Sequence, residues 1–87
     1  MHEASLIMNL MHRVEEIAQN ERAQRIVGVS IWLGALSHMS AEHFAKHFEC
    51  ASAGTLAEGA RLDITVSNDP RHANAQDVML ENVEVEV

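Results

Sequence analysis

The chain is almost free of cysteine: Cys50 is alone among 87 residues. An intramolecular disulfide is therefore excluded, and no Cys-x-x-Cys pair exists that could begin a structural zinc site. Cys50 has no histidine and acid partners at a patterned spacing, and the chain lacks a glycine-rich phosphate loop, so we do not expect an enzyme. The simplest interpretation of Cys50 is a buried thiol, packed within a helix of a protein from a reducing compartment.

Basic residues are also scarce. Six Lys and Arg stand against thirteen Asp and Glu, and the formal net charge of −7 disfavours binding to nucleic acid or anionic lipid. No apolar run approaches the roughly 20 residues of a membrane span, and no basic and apolar leader with a cleavage site precedes the helical pattern. We expect a cytoplasmic protein with no nucleic-acid or membrane partner, whose acidity suits a metal ion or a basic protein surface.

The chain is apolar enough to fold, with 47% hydrophobic residues. Its length predicts a single domain spanning residues 1–87, without repeats or linkers. Chains of this size bury only about 60% of the surface that they expose when unfolded. We therefore expect modest stability, or stability shared with a partner.

Hydrophobic periodicity predicts an alternation of helices and strands. Apolar residues at helical spacing predict a helix over residues 4–19, and a period of two predicts a strand over 25–33. Ser40 is a typical cap for a second helix over 41–53, and alternation returns over 61–67. Strand, helix and strand form a crossover unit, which implies that the two strands are parallel.

A last strand is predicted over residues 78–87, after a polar surface loop at 68–77. Val83 and Val85 have the opposite parity to Val78 and Leu80, so we expect a bulge or register shift near Glu81. The predicted fold is α/β (α+β): a small three-stranded mixed sheet with two helices on one face, in the order α-β-α-β-β.

Strand parity also assigns residues to faces of the sheet. The residues predicted to face the helices are Val27, Val29, Ile31 and Leu33 in the first strand and Leu62, Ile64 and Val66 in the second. Trp32 has the opposite parity, so we place it on the face away from the helices. There it is either an anchor for a partner or a half-covered surface residue.

The first three residues, Met1-His2-Glu3, combine a free amine, backbone amides and an imidazole. Together these groups can form a nitrogen-rich chelate with tetragonal bias, which suits Ni(II) or Cu(II) better than zinc. The alternative is an ordinary frayed terminus that happens to contain histidine.

The other histidines are not equivalent, although the chain has six in all. His43 and His47 lie four residues apart on one face of the second helix, the spacing that a two-histidine metal site needs. Because no third ligand accompanies them, we favour a solvated polar face. His12 and His72 have no informative spacing and stay unassigned.

Three segments resemble one family over residues 1–67. They are MHEASL at the start, RIVGVSIWLGALSHMSAEHF from the first strand into the second helix, and FECASAGTLAEGARLDI leading into the second strand. Together they resemble the nickel-insertion metallochaperones of hydrogenase and urease maturation, the HypA/HybF family.

The resemblance implies a nickel site at the N-terminus. Met1, His2 and Glu3 match the family's motif, in which the second residue is the indispensable ligand and neighbouring backbone nitrogens assist. In some members an acidic side chain before the second helix approaches the nickel, and Ser40 occupies that position here. We hypothesise that His38, in the same loop, replaces the missing acidic ligand.

The resemblance also implies a missing part. Family members carry a zinc-binding module with two Cys-x-x-Cys pairs after the second strand, and loop 68–77 stands in its place here. With one cysteine, no structural zinc of that type is expected.

Two functions remain open. In the first, the chain is a nickel metallochaperone for [NiFe] hydrogenase, or for urease, that binds Ni(II) at its N-terminus. Its acceptor is then a hydrogenase large subunit or a nickel-maturation GTPase. In the second, it delivers no metal and docks on a hydrogenase subunit or a maturation factor through the exposed sheet edge or the Trp32 face. The uncovered sheet face makes a homodimer a further candidate.

Overall fold

The computed structural model describes the chain from residue 3 to residue 87. Within that range the elements are α1 (Glu3–Asn20), β1 (Arg25–Leu33), α2 (Ala41–Ser52), β2 (Arg61–Val66) and β3 (Val78–Glu86). The order is the predicted one, and every boundary lies within one residue of its prediction.

The three strands form one mixed sheet in the order β2-β1-β3. β1 is parallel to β2 and antiparallel to β3, so the predicted crossover is confirmed. Both helices pack on the same face, with α1 over β3 and α2 over β2. The core between helices and sheet includes Ile7, Leu10, Met11, Val14, Ala18, Ile26, Val29, Ile31, Leu33, Phe44 and Phe48.

The register shift predicted near Glu81 is confirmed. Ser30 pairs with Asn82 and Ile31 pairs with Leu80, which leaves Glu81 as the extra residue of a bulge. The bulge reverses the parity of β3, so residues on both sides of Glu81 pack against the core.

A second irregularity in β1 was not predicted. Ile26 pairs with Val85 and Gly28 pairs with Glu84, so Val27 is left between them. Ile26 is buried and Val27 only half-buried, which is the reverse of the parity prediction. A bulge between two apolar β-branched residues leaves no trace in a hydrophobic pattern.

Two other predictions of burial are wrong. Cys50 is exposed, because the buried stripe of α2 runs through Phe44, Phe48 and Ser52 at four-residue steps. Val66 is 57% exposed, since it ends an edge strand beyond the helices. Ser52 is 4% exposed, and its hydroxyl donates to the Glu49 carbonyl at 3.3 Å, which satisfies a polar group inside the core.

The loop at 68–77 packs on the segment that follows β1. The Gly34 amide donates to the Asp77 carbonyl at 2.9 Å, and the Leu36 amide donates to the Ala75 carbonyl at 2.7 Å. Ala75 is 4% exposed, although the sequence predicted a polar surface loop throughout. A Cβ atom on Gly34 would lie 2.2 Å from the Ala75 oxygen, so this close approach requires glycine.

Neither of the described helices combines the length and the apolar composition that crossing a bilayer requires.

Candidate metal centre

Both helices begin at the same end of the sheet. β1 runs antiparallel to α1, and α2 runs back between the parallel strands β1 and β2, so α1 and α2 point in the same direction. At the opposite end, Glu15 and Gln19 of α1 border one hollow together with residues 54–56 after α2. The start of α1, the segment 34–40 and the first two turns of α2 therefore share one region, called here the helix-start end.

The predicted N-terminal ligands Met1 and His2 lie outside the described residues. Glu3 is the first residue of α1, so its backbone belongs to the helix-start end. The predicted chelate therefore stays a prediction. The structure shows only that the residue after His2 begins α1.

His38 lies in the segment 34–40, with its backbone at φ +59° and its side chain exposed. Met39 beside it is 8% exposed and packs in the core. Because the Met39 side chain is held in the core, the adjacent side chain of His38 is directed toward solvent. The structure thus places His38 at the helix-start end, and its predicted role as a metal ligand stays a prediction.

Ser40 is the N-cap of α2. Its Oγ accepts a hydrogen bond from the His43 backbone N–H at 3.1 Å, as the sequence predicted. The Ser40 hydroxyl is therefore engaged in holding the helix terminus.

The most specific geometry at this end belongs to His43 and His47. Their Nε2 atoms are 3.1 Å apart, and their ring centroids are 4.6 Å apart with the planes tilted by 47°. His43 is exposed and His47 half-buried. The sequence predicted the shared face but favoured a solvated one; direct contact between the rings depends on side-chain torsions that spacing does not specify.

Among residues 5–87, whose side chains the structure describes, no group of three His, Cys, Asp or Glu side chains is arranged to hold a metal ion. A complete ligand set at the helix-start end must therefore include atoms from residues 1–3, from solvent or from a partner.

The sheet face away from the helices carries a different chemistry. Trp32 is half-buried there and packs against His72, with centroids 4.9 Å apart. The Nδ1 atom of His72 accepts a hydrogen bond from the Asn74 amide at 3.0 Å. His72 is thus engaged in fastening loop 68–77 rather than in the helix-start end.

Further along this face, Arg61 bridges two carboxylates. Its guanidinium contacts Glu84 at 2.7 Å and Asp63 at 2.9 Å, and hydrogen bonds to these groups raise the pKa of Arg61. Gly28 lies directly between Arg61 and Glu84 in the register, and its missing side chain lets the guanidinium cross β1.

Comparison with known proteins gives a family. Residues 1–85 match the family described as "Hydrogenase/urease nickel incorporation, metallochaperone, hypA". The hydrogenase maturation factor HypA of Methylocella silvestris is 39% identical over 66 residues, which are 76% of this chain and 58% of that protein. HypA of Chlorobium limicola is 41% identical over 64 residues, 74% of this chain and 55% of that protein. The chain thus spans little more than half the length of these relatives.

Solved structures share the fold. The solution structure of the Ni metallochaperone HypA from Helicobacter pylori aligns with a TM-score of 0.82 at 22% identity, covering 99% of this chain and 98% of that one. A second HypA solution structure aligns with a TM-score of 0.77 at 23% identity and covers 98% and 96%. The predicted resemblance is confirmed, and the chain belongs to the HypA family.

Proposed function

We propose that this chain binds Ni(II) at its N-terminus and passes it to an acceptor protein during maturation of [NiFe] hydrogenase. The observation that carries the proposal is the family match, which begins at residue 1 and so includes Met1-His2-Glu3. The names of the relatives, hydrogenase maturation factors, agree with it. The family description also names urease, which makes nickel delivery to urease a second use of the same site.

In the proposed site, the His2 imidazole, the Met1 amine and backbone nitrogens of residues 2 and 3 surround the metal. Such a nitrogen-rich set favours the tetragonal geometry of Ni(II). The start of α1 at Glu3 supports it, because the first backbone N–H groups of a helix have no acceptor within the helix. Those nitrogens can therefore turn toward a metal without breaking a helical hydrogen bond.

His38 is the proposed additional ligand. Its exposed side chain lies on the helix-start end, and its left-handed backbone is fastened on one side by the buried Met39. An imidazole there replaces the acidic side chain of other members, since Ser40 is occupied as a cap.

We further propose that residues 1–87 form a nickel-binding unit in which loop 68–77 takes the place of the zinc module. The hydrogen bonds from the segment after β1 to Ala75 and Asp77 support this, because they close the loop onto the domain. The single cysteine is consistent with a unit that holds no four-cysteine zinc.

The proposed acceptor is a hydrogenase large subunit or a nickel-maturation GTPase, reached in the cytoplasm. Transfer proceeds by ligand exchange, so the chain acts as a carrier and not as an enzyme. Metal binding requires deprotonated ligands, and affinity is therefore expected to fall in acid.

The test is a calorimetric Ni(II) titration of the protein with its native Met1 amine, beside His2→Gln. Glutamine keeps a large second residue, so Met1 is retained while the imidazole is lost. We expect one-site Ni(II) binding that disappears in His2→Gln and persists in the matched control His12→Ala, which changes an exposed histidine of α1. A protein extended by one residue before Met1 should lose the same event, because the amine is displaced.

Equal tight binding in all four proteins would contradict the N-terminal site. Absence of binding in all four proteins would contradict the site too, and would leave docking through the sheet edge or the Trp32 face as the remaining function.

A further inference from the structure

The two edges of the sheet differ in how well they can accept another strand. β1 lies in the middle, so β2 and β3 are the edges. β3 is irregular, because Glu81 bulges out of its register, and a bulge of this kind discourages a further strand from pairing. β2 has neither a bulge nor a proline over Arg61–Val66, and its register with β1 is continuous. β2 is therefore the edge that is open to pairing.

The hydrogen bonds between β1 and β2 show which backbone groups of β2 point outward. The Ser67 amide donates to the Leu33 carbonyl at 2.9 Å, so the Ser67 backbone faces β1. Backbone direction alternates along a strand, and Leu62, Ile64 and Val66 therefore direct their amides and carbonyls away from β1. Within residues 3–87 no strand pairs with these outward groups.

The same three residues place their side chains on the face of the sheet that the helices cover, called here the helix face. Leu62 and Ile64 are half-buried against the core, whereas Val66 is 57% exposed. A strand paired with β2 would put every second side chain on the helix face, next to these residues. It would thereby cover the apolar surface of Val66.

A groove lies between α2 and the start of β2. Its volume is about 690 Å³, and its lining includes the apolar side chains of Ala45, Phe48 and Leu62 together with Glu49 and Glu58. Both glutamates are exposed, and the described residues that line the groove include no Lys or Arg. The groove therefore suits apolar side chains accompanied by a positive charge.

We infer that β2 binds an extended segment of another protein, which joins the sheet as a fourth strand. Leu62, Ile64 and Val66 each supply one outward N–H and one outward C=O to this strand. The segment carries apolar side chains at alternate positions, which enter the groove and cover Val66. A lysine or arginine at one end of the segment lies beside Glu49 and Glu58.

A second copy of this chain is a poor occupant of this edge. The side chains of β2 on the helix face are all apolar, so a second β2 would bring no cation to Glu49 and Glu58. Each copy also carries a formal net charge of −7, which opposes close association. A basic partner segment gains from the same charge.

This inference goes beyond the proposed nickel function, because it uses neither His2 nor the Met1 amine. It specifies which sheet edge docks on a partner and what the docked segment must contain. Nickel binding and segment binding can therefore fail independently, and the metal-free protein is sufficient for the test.

The probe is a short capped peptide with lysine at both ends and three valines alternating with threonines between them. In extended form its valines and lysines share one face, and lysines at both ends serve either strand direction. Calorimetry compares it with a peptide in which both lysines are glutamate and with one whose central valine is proline. We expect the glutamate peptide to bind at least about fourfold more weakly. The proline peptide should not bind, since proline cannot continue the pairing.

Glu49→Lys tests the charge of the groove. It replaces an attraction by a repulsion, so the Kd of the lysine peptide should rise by about 2–30-fold. The matched control is Glu16→Lys, which makes the same change of net charge at an exposed position of α1. Its Kd should stay within about twofold of the wild-type value.

Amide hydrogen exchange in the wild-type protein does not depend on the folding of a variant. Saturating lysine peptide should slow exchange of the Leu62 and Ile64 amides at least tenfold. The Asp63 amide, which already faces β1, should change little and provides the internal control. Cys50 also lines the groove and is exposed, so its alkylation by iodoacetamide should slow as well.

Unchanged exchange at Leu62 and Ile64, or equal Kd values for the three peptides, would overturn the inference. Protection of these two amides that rises with protein concentration in the absence of peptide would overturn it too, because a second copy would then occupy the edge. Nickel binding that vanishes in His2→Gln while the lysine peptide leaves β2 unprotected would support the N-terminal site alone. Peptide binding in a protein that takes up no nickel would support the β2 edge alone.

Discussion

Replacing Gly34 by alanine tests how loop 68–77 is attached to the domain. The added Cβ would lie 2.2 Å from the Ala75 carbonyl oxygen and 2.8 Å from that of Asn74. Both contacts are with backbone, which cannot rotate away as a side chain can. The loop must therefore move away from the end of β1.

The cost follows from the groups that separate. Overpacking costs about 1–3 kcal/mol of unfolding free energy. Movement of the loop also weakens the hydrogen bonds of 2.9 Å from the Gly34 amide and 2.7 Å from the Leu36 amide. Each is worth about 0.5–1.5 kcal/mol, so we expect a total loss of about 2–6 kcal/mol if both bonds break. In a domain of this size each kcal/mol lowers the melting temperature by about 4–8 °C, so it should fall by at least about 8 °C.

Gly28→Ala is the matched control. Its Cβ would lie 2.7 Å from Arg61 Nη2, the far end of a flexible and exposed side chain. The side chain can swing aside at the cost of a surface ion pair, worth about 0–1 kcal/mol. Thermal and urea unfolding followed by circular dichroism should therefore show a much smaller change than for Gly34→Ala.

Amide hydrogen exchange provides the local readout. The Leu36 amide, which donates to Ala75, should exchange faster in Gly34→Ala and at the wild-type rate in Gly28→Ala. If the two variants were equally stable and Leu36 stayed protected in both, the loop would not be attached as described.

Three further changes have defined outcomes. Ser40→Ala removes the N-cap of α2 and should lower the free energy of unfolding in urea by about 1 kcal/mol. Ser40→Asp keeps a capping oxygen and should retain the stability. An unchanged urea midpoint in Ser40→Ala would show that this cap does not stabilise the helix. His38→Ala should weaken Ni(II) binding in calorimetry without changing the melting temperature, and unchanged affinity would remove His38 from the proposed site. Cys50 is exposed, so a thiol reagent should modify it in the folded protein at the rate of a free thiol; modification only on unfolding would show that it is buried.

The fold was predictable where pattern and packing agree. The bulge at Glu81 was evident because apolar residues change parity across it. The bulge at Val27 was not, since its neighbours are equally apolar. Burial along α2 was misassigned because the stripe from Phe44 ends on a serine, and a polar Ser52 in the core is stabilised by a local hydrogen bond that composition does not reveal.

The candidate site was predictable only in part. Met1, His2 and Glu3 were predicted from the chelating groups of the terminus and from the family resemblance, and they stay a prediction because Met1 and His2 lie outside the described residues. Spacing placed His43 and His47 on one face, but the 3.1 Å contact between their nitrogens depends on torsions set by the surrounding surface. The position of loop 68–77 depends on the fit between Gly34 and Ala75, a contact between residues distant in the sequence.

The common direction of the two helices affects how firmly a cation is held. The amino end of each helix carries roughly half a positive elementary charge, and a cation there is disfavoured by about 0.3–1 kcal/mol per helix. Glu42 in the first turn of α2 offsets part of this field. Before the offset from Glu42, α1 and α2 together would lower the affinity of the proposed site for a cation by about 3–30-fold relative to the same ligands on a neutral surface. If the proposed site binds nickel, a domain whose helices ran the other way would release the ion more slowly.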